Sequence, residues 1–94
     1  MSLDAVRNEI RGIDERIIDL VAERQRLATR IARLKQESDL PIRDDKQRKA
    51  VLDRVSAYAA GKQIDPAAIR RIALILIEMN EEQQREYSED DGSS

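Results

Sequence analysis

Ninety-four residues hold one domain and leave no room for two independent cores. Hydrophobic residues make up 40% and charged residues 38%, too apolar for a disordered chain and too polar for a membrane protein, and no apolar run approaches the roughly 18 residues of a transmembrane helix. The formal charge is −2 and only two residues are aromatic, so the basic excess and stacking rings of a nucleic-acid binder are missing. Cys and His are both absent, which excludes disulfides, thiolate and Ser-His nucleophiles, and Cys-ligated zinc. With no signal-peptide pattern, the sequence reads as a cytoplasmic domain whose chemistry rests on Arg, Lys, carboxylates, amides and hydroxyls.

A first long helix is predicted from about Ser2 to Glu37, where Gly12 is the single breaker. Its apolar residues are Leu3, Val6, Ile10, Ile13, Ile17 and Leu20, then Leu27, Ile31 and Leu34, spaced as a heptad seam with one knob missing at Arg24. Pro41 disfavours helix just before it, so Ser38-Asp39-Leu40-Pro41 breaks the chain. A second helix starts at Asp44, whose spacing to Gln47 fits a capping box, and Gly61 reads as its C′ residue. Asp65-Pro66 then gives an N-cap followed by Pro at the first helical position, opening a third helix that runs to about Tyr87. The domain is expected over residues 1–87, with residues 88–94 as a polar, disordered tail. No strand pattern is present, so the fold is all-α.

Length bears on assembly. A helix of about 35 residues spans roughly 52 Å, whereas a compact chain of this size is roughly 30 Å across. The other two helices cannot cover the whole seam, and a partner chain along it, as a two-fold homodimer, is the simplest remedy.

Several polar residues stand where the pattern calls for apolar ones. Arg24 in the seam needs an anion: a carboxylate of a partner chain, a ligand carboxylate, or else an escape to water by snorkelling. Lys35 leaves the same helix face about 16 Å further along, so the two cations converge on anything small lying between them. Arg7 lies about 25 Å from Arg24 along the axis and is rotated by about 100°, so it reaches such a ligand only from a second chain, and is otherwise a solvated arginine. On the third helix the face of Ala73 and Leu76 continues through Asn80 and Gln84, amides that either fray into water or meet a polar ligand. Arg48 extends the Val51, Val55 and Tyr58 face backward as a helix-start residue near water. For Asp44 and Gln47 the cap alone is a sufficient explanation.

In order and at spacing, these segments resemble the all-helical chorismate mutase family. The matching pieces are Leu3-x-x-x-Arg7 with Ile13-Asp14-Glu15, then Leu20-Val21-Ala22-Glu23-Arg24 with Lys35. Pro41-Ile42-Arg43-Asp44 and Leu76-Ile77-Glu78-x-Asn80-x-x-x-Gln84 complete the set, and the similarity covers about residues 3–87 without a gap. The resemblance implies an intertwined helical homodimer with two active sites, each taking one Arg from the other chain. The implied reaction is chorismate to prephenate, a step toward phenylalanine and tyrosine, with no cofactor and no metal. By position, Arg7 is the crossing residue that binds a substrate carboxylate, and Arg24 binds a carboxylate in its own chain's site. Lys35 and Gln84 donate to the ether oxygen of the breaking bond. Asp44 holds the ring hydroxyl through its backbone N–H, and Asn80 lies near a carboxylate.

Two positions depart from the family's common Asp-x-x-Arg-Glu. Gln47 stands in place of an Arg that supports carboxylate binding, and Arg48 in place of a Glu that contacts the ring hydroxyl. The other readings are an isochorismate pyruvate lyase of the same fold and a non-enzymatic helical dimerisation module in which Arg24 only sets register.

Overall fold

The computed structural model describes residues 1–92, with side chains through Ser88. It contains three helices, α1 (Leu3–Glu37), α2 (Asp45–Gly61) and α3 (Pro66–Gly92), and no strand among the described residues. None of the helices is long and apolar enough to cross a membrane.

Local chemistry sets the helix starts. The Ser2 side chain accepts the Ala5 N–H at 3.1 Å, and Asp44 Oδ1 accepts the Gln47 N–H at 3.1 Å. Asp65 Oδ1 accepts the Ala67 N–H at 3.0 Å, across Pro66 at the first helical position.

The helix ends differ from the sequence reading in two places. Gly61 is the last residue of α2 rather than its C′ residue; the left-handed position is Gln63, with φ 60°. The Gln63 N–H donates to the Ala60 carbonyl at 3.1 Å and the Ile64 N–H to the Ala59 carbonyl at 2.9 Å, the paired bonds of a Schellman motif. These bonds place the left-handed residue two positions beyond the glycine. α1 closes in the same way through Asp39, with φ 54°, and a Leu40 N–H bond to the Lys35 carbonyl at 2.7 Å. The second difference is at the C-terminus. α3 passes Tyr87 and ends at Gly92, so residues 88–92 extend the helix, while residues 93 and 94 lie outside the described part. Ser and Asp are only mildly unfavourable in a helix, Glu is a good helix former, and Gly92 is the first true breaker after Pro66.

α3 packs against both α1 and α2, which do not pack against each other. The buried apolar residues are Ala28, Ala32, Ala59 and Ala73, and no large side chain is fully buried. Small residues let the helices approach closely but bury little area. Along α1, Ile10, Ile13, Ile17 and Leu20 are 44–59% exposed. The chain measures 56 × 28 × 15 Å, with a radius of gyration of 16.7 Å against about 12 Å for a compact chain of this length. At 15 Å thick it buries few apolar side chains, all of them small.

Candidate active site

The lower half of α1, the start of α2 and the C-terminal half of α3 enclose a cavity of about 570 Å³, the size of a small-molecule site. Seven of the eight residues singled out from sequence line it: Arg24, Lys35, Asp44, Gln47, Arg48, Asn80 and Gln84. Arg7 does not; it is exposed on the N-terminal half of α1.

Each helix presents these groups by its own periodicity. On α1, Arg24, Leu27, Ala28, Ile31 and Lys35 follow steps of three and four, so two cations flank an apolar floor. On α2, Gln47, Val51 and Arg54 share a face with Arg48 beside it, and on α3 Ile77, Asn80, Glu81 and Gln84 do the same. The bond from Asp44 to the Gln47 N–H fixes where α2 begins, and so aims Gln47 and Arg48 at the cavity.

Arg24 is held in place. Its Nη1 donates to Asn80 Oδ1 at 2.7 Å, and Asn80 Nδ2 donates onward to Gln25 Oε1 at 2.5 Å. The Arg24–Asn80 bond removes one guanidinium donor and leaves the others for a ligand. Beside it, Gln83 Nε2 donates to Thr29 Oγ1 at 3.2 Å, a second polar tie between α3 and α1. Lys35 Nζ donates to the Ile42 carbonyl, which draws the α1–α2 connection over the cavity and leaves two ammonium protons uncommitted. The Asp44 carboxylate is occupied by the cap, whereas its backbone N–H has no partner among the described residues.

Arg48 differs from its sequence reading as a helix-start residue near water. Its side chain is only 15% exposed; Nη2 lies 3.6 Å from Glu78 Oε1, and Nε is buried without a partner. Packing of α3 over the first turns of α2 removes the water that a lone helix start would have. Gln84 is 6% exposed and its Oε1 is also unpartnered. These two orphaned polar atoms, a donor and an acceptor, belong to residues that line the same cavity, and each is costly to bury without a partner.

Two charged lining residues, Glu81 and Arg54, escaped the sequence reading. Glu81 falls at i+4 from Ile77 and Arg54 at i+7 from Gln47, so the helical stripes already carried the signal. With these included, the lining has four cations, Arg24, Lys35, Arg48 and Arg54, against the carboxylates of Asp44 and Glu81, a local charge of +2 in a chain of net −2.

A concave, net-positive site with fixed Arg, Lys and amide donors on an all-helical frame defines a class of site suited to small anions. Comparison with known proteins narrows this class. The family model for chorismate mutase type II matches residues 6–85, and the chain belongs to that family. A chorismate mutase of Methanocaldococcus jannaschii is 34% identical over 88 residues, covering 94% of this chain and 89% of that protein. The bifunctional chorismate mutase/prephenate dehydratases of Enterobacter agglomerans and Escherichia coli are each 31% identical over 74 residues. Those matches cover 79% of this chain but 19% of the length of the bifunctional proteins.

Proposed function

We propose that this chain is a chorismate mutase, an isomerase that rearranges chorismate to prephenate, acting in the cytoplasm as an intertwined homodimer. The observation that carries this reading is the convergence of Arg24, Lys35, Asn80 and Gln84, drawn from two helices, on one cavity of net charge +2. Chorismate is a dianion, and its rearrangement is a unimolecular pericyclic shift that requires no nucleophile, proton transfer or metal. The protein's task is to fold the enolpyruvyl arm over the ring and to stabilise negative charge that grows on the ether oxygen as its bond opens.

Arg24, anchored by Asn80, holds one carboxylate, and Arg7 of the partner subunit closes over a carboxylate from outside; both act by orientation. Lys35 and Gln84 donate to the ether oxygen, where preformed donors in a water-poor site favour the transition state over the ground state. The uncommitted Asp44 N–H meets the ring hydroxyl. Arg48 supplies cationic charge on α2, where Gln47 replaces the family's usual Arg. The dimer is supported by the exposed Ile and Leu seam of α1, which one chain 15 Å thick leaves in water, and by the absence of Arg7 from its own chain's cavity. At roughly 25 cal/mol per Å² of apolar surface, covering such a seam is a strong driving force for association.

The test is incubation of the purified chain with chorismate and, separately, with isochorismate. Prephenate from chorismate, without pyruvate from isochorismate, is the expected result. No conversion of chorismate, or pyruvate release as the principal activity, would overturn the reading.

A further inference from the structure

Glu81 is a buried carboxylate in a site built for a dianion, and nothing in the fold accounts for it. It is 8% exposed and lines the cavity with Arg24, Lys35 and Arg48. Among the described residues its oxygens accept no hydrogen bond, and its ion pair is a long one, 3.9 Å to Arg85 Nη2, on a side chain that is 45% exposed. The ion pair of Arg48 is with Glu78, whose Oε1 lies 3.6 Å from Arg48 Nη2, and not with Glu81. Glu81 shares the cavity lining with Ile42 and Asp44 of the α1–α2 connection. The Arg43 guanidinium is held above its ordinary value chiefly by its hydrogen bond to Asp45, with smaller contributions from Glu81 and Glu78, so Glu81 lies within electrostatic reach of the residue that precedes Asp44.

An acid in this position repels both carboxylates of the substrate and weakens the cationic field that binds them. Such a group belongs in the site only if it meets a hydrogen-bond donor on the ligand. A carboxylate only accepts, and chorismate offers two carboxylates and an ether oxygen, which also only accept, together with one ring hydroxyl, its single donor. We propose that Glu81 is a substrate-binding residue whose carboxylate accepts the hydrogen bond of that ring hydroxyl, an inference that rests on the proposed chorismate mutase function. The hydroxyl oxygen can at the same time accept from the Asp44 N–H, so the ring is held at both ends of one O–H group. Glu81 then acts as a specificity element: it favours a dianion bearing a hydroxyl at this ring position over one that lacks it, because the unpaired acid would be left buried and unsatisfied.

The test compares kcat/KM for chorismate with that for its analogue carrying hydrogen in place of the ring hydroxyl, in the wild-type protein and in Glu81→Gln and Glu81→Ala. The ratio of the two substrates is independent of how much of a variant is folded, so partial misfolding does not blur it. The wild-type protein should prefer chorismate. Glu81→Gln exchanges a charged acceptor for a neutral one and should lower the preference about 10-fold, and Glu81→Ala should lower it further. The rate on the analogue should hold or rise, since a repulsive charge has been removed. An unchanged preference in both variants would overturn the role of Glu81 while wild-type turnover of chorismate left the proposed function standing. A wild-type protein inactive on chorismate would overturn both.

Discussion

Arg24 Nη1 donates to Asn80 Oδ1 at 2.7 Å, joining the middle of α1 to the C-terminal half of α3 across 56 residues of sequence. Asn80 passes the contact on to Gln25, so a seam arginine that would otherwise swing toward water is fixed at the cavity wall. Asn80 is in this sense a positioning residue for the carboxylate clamp. Asn80→Ala should lower kcat/KM about 10-fold and cost about 1–2 kcal/mol in thermal unfolding, the loss of two partly buried hydrogen bonds. Steady-state kinetics on the variant, with unfolding followed by circular dichroism, checks both; full activity would mean that Arg24 needs no anchor.

Lys35 should separate binding from chemistry. Charge on the ether oxygen develops mainly in the transition state, so Lys35→Ala should depress kcat about 10²- to 10³-fold with a much smaller change in KM. An unchanged turnover number would remove Lys35 from the mechanism and leave it only the tie to the Ile42 carbonyl.

Arg48 combines a buried, unpartnered Nε with a long ion pair to an exposed acid. An arginine so poorly satisfied by its own fold contributes little to stability and is free to serve a ligand. Arg48→Met, which keeps the apolar stem, should raise KM for chorismate about 10-fold while leaving the melting temperature unchanged or higher. A clear drop in melting temperature with KM unaffected would make Arg48 a structural residue.

Local signals and tertiary ones were unequally legible in the sequence. The starts of α2 and α3 could be read because capping is decided within three residues, as the Asp44–Gln47 and Asp65–Ala67 bonds illustrate. The end of α2 could not, since the left-handed residue is Gln63, two positions past the glycine that marks a helix end in sequence. The alignment of Arg24 with Lys35, and of Asn80 with Gln84, followed from helical periodicity alone. Glu81 was hidden because it adjoins Glu82 and looks like part of a solvated charge run until α3 is packed. The burial of Arg48 was hidden for the same reason. The place of Arg7 is not fixed by one chain at all, because its proposed contact needs a second.

The turn after α2 offers a gain in stability. Gln63 holds φ 60° without being glycine, a conformation that costs a β-carbon roughly 1–2 kcal/mol. Gln63→Gly removes that strain, partly offset by greater freedom in the unfolded chain, and should stabilise the protein by about 0.5–1 kcal/mol with activity unaltered. Chemical denaturation midpoints compared at equal protein concentration give the answer, and a destabilised variant would show that the Gln63 side chain makes a contact that outweighs its backbone.

A site completed by two chains is tested most directly by mixing two inactive variants. Arg7→Ala and Arg24→Ala homodimers should each be nearly inactive, since every site lacks one clamp. In a hybrid of the two, one site carries both defects and the other receives an intact Arg7 from one subunit and an intact Arg24 from its partner. Unfolding and refolding an equal mixture gives about half of the dimers as hybrids, so roughly a quarter of the wild-type activity per chain should return if the sites are independent. No recovery, with hybrid formation demonstrated, would contradict a composite site and place both arginines in one chain or neither of them on the substrate.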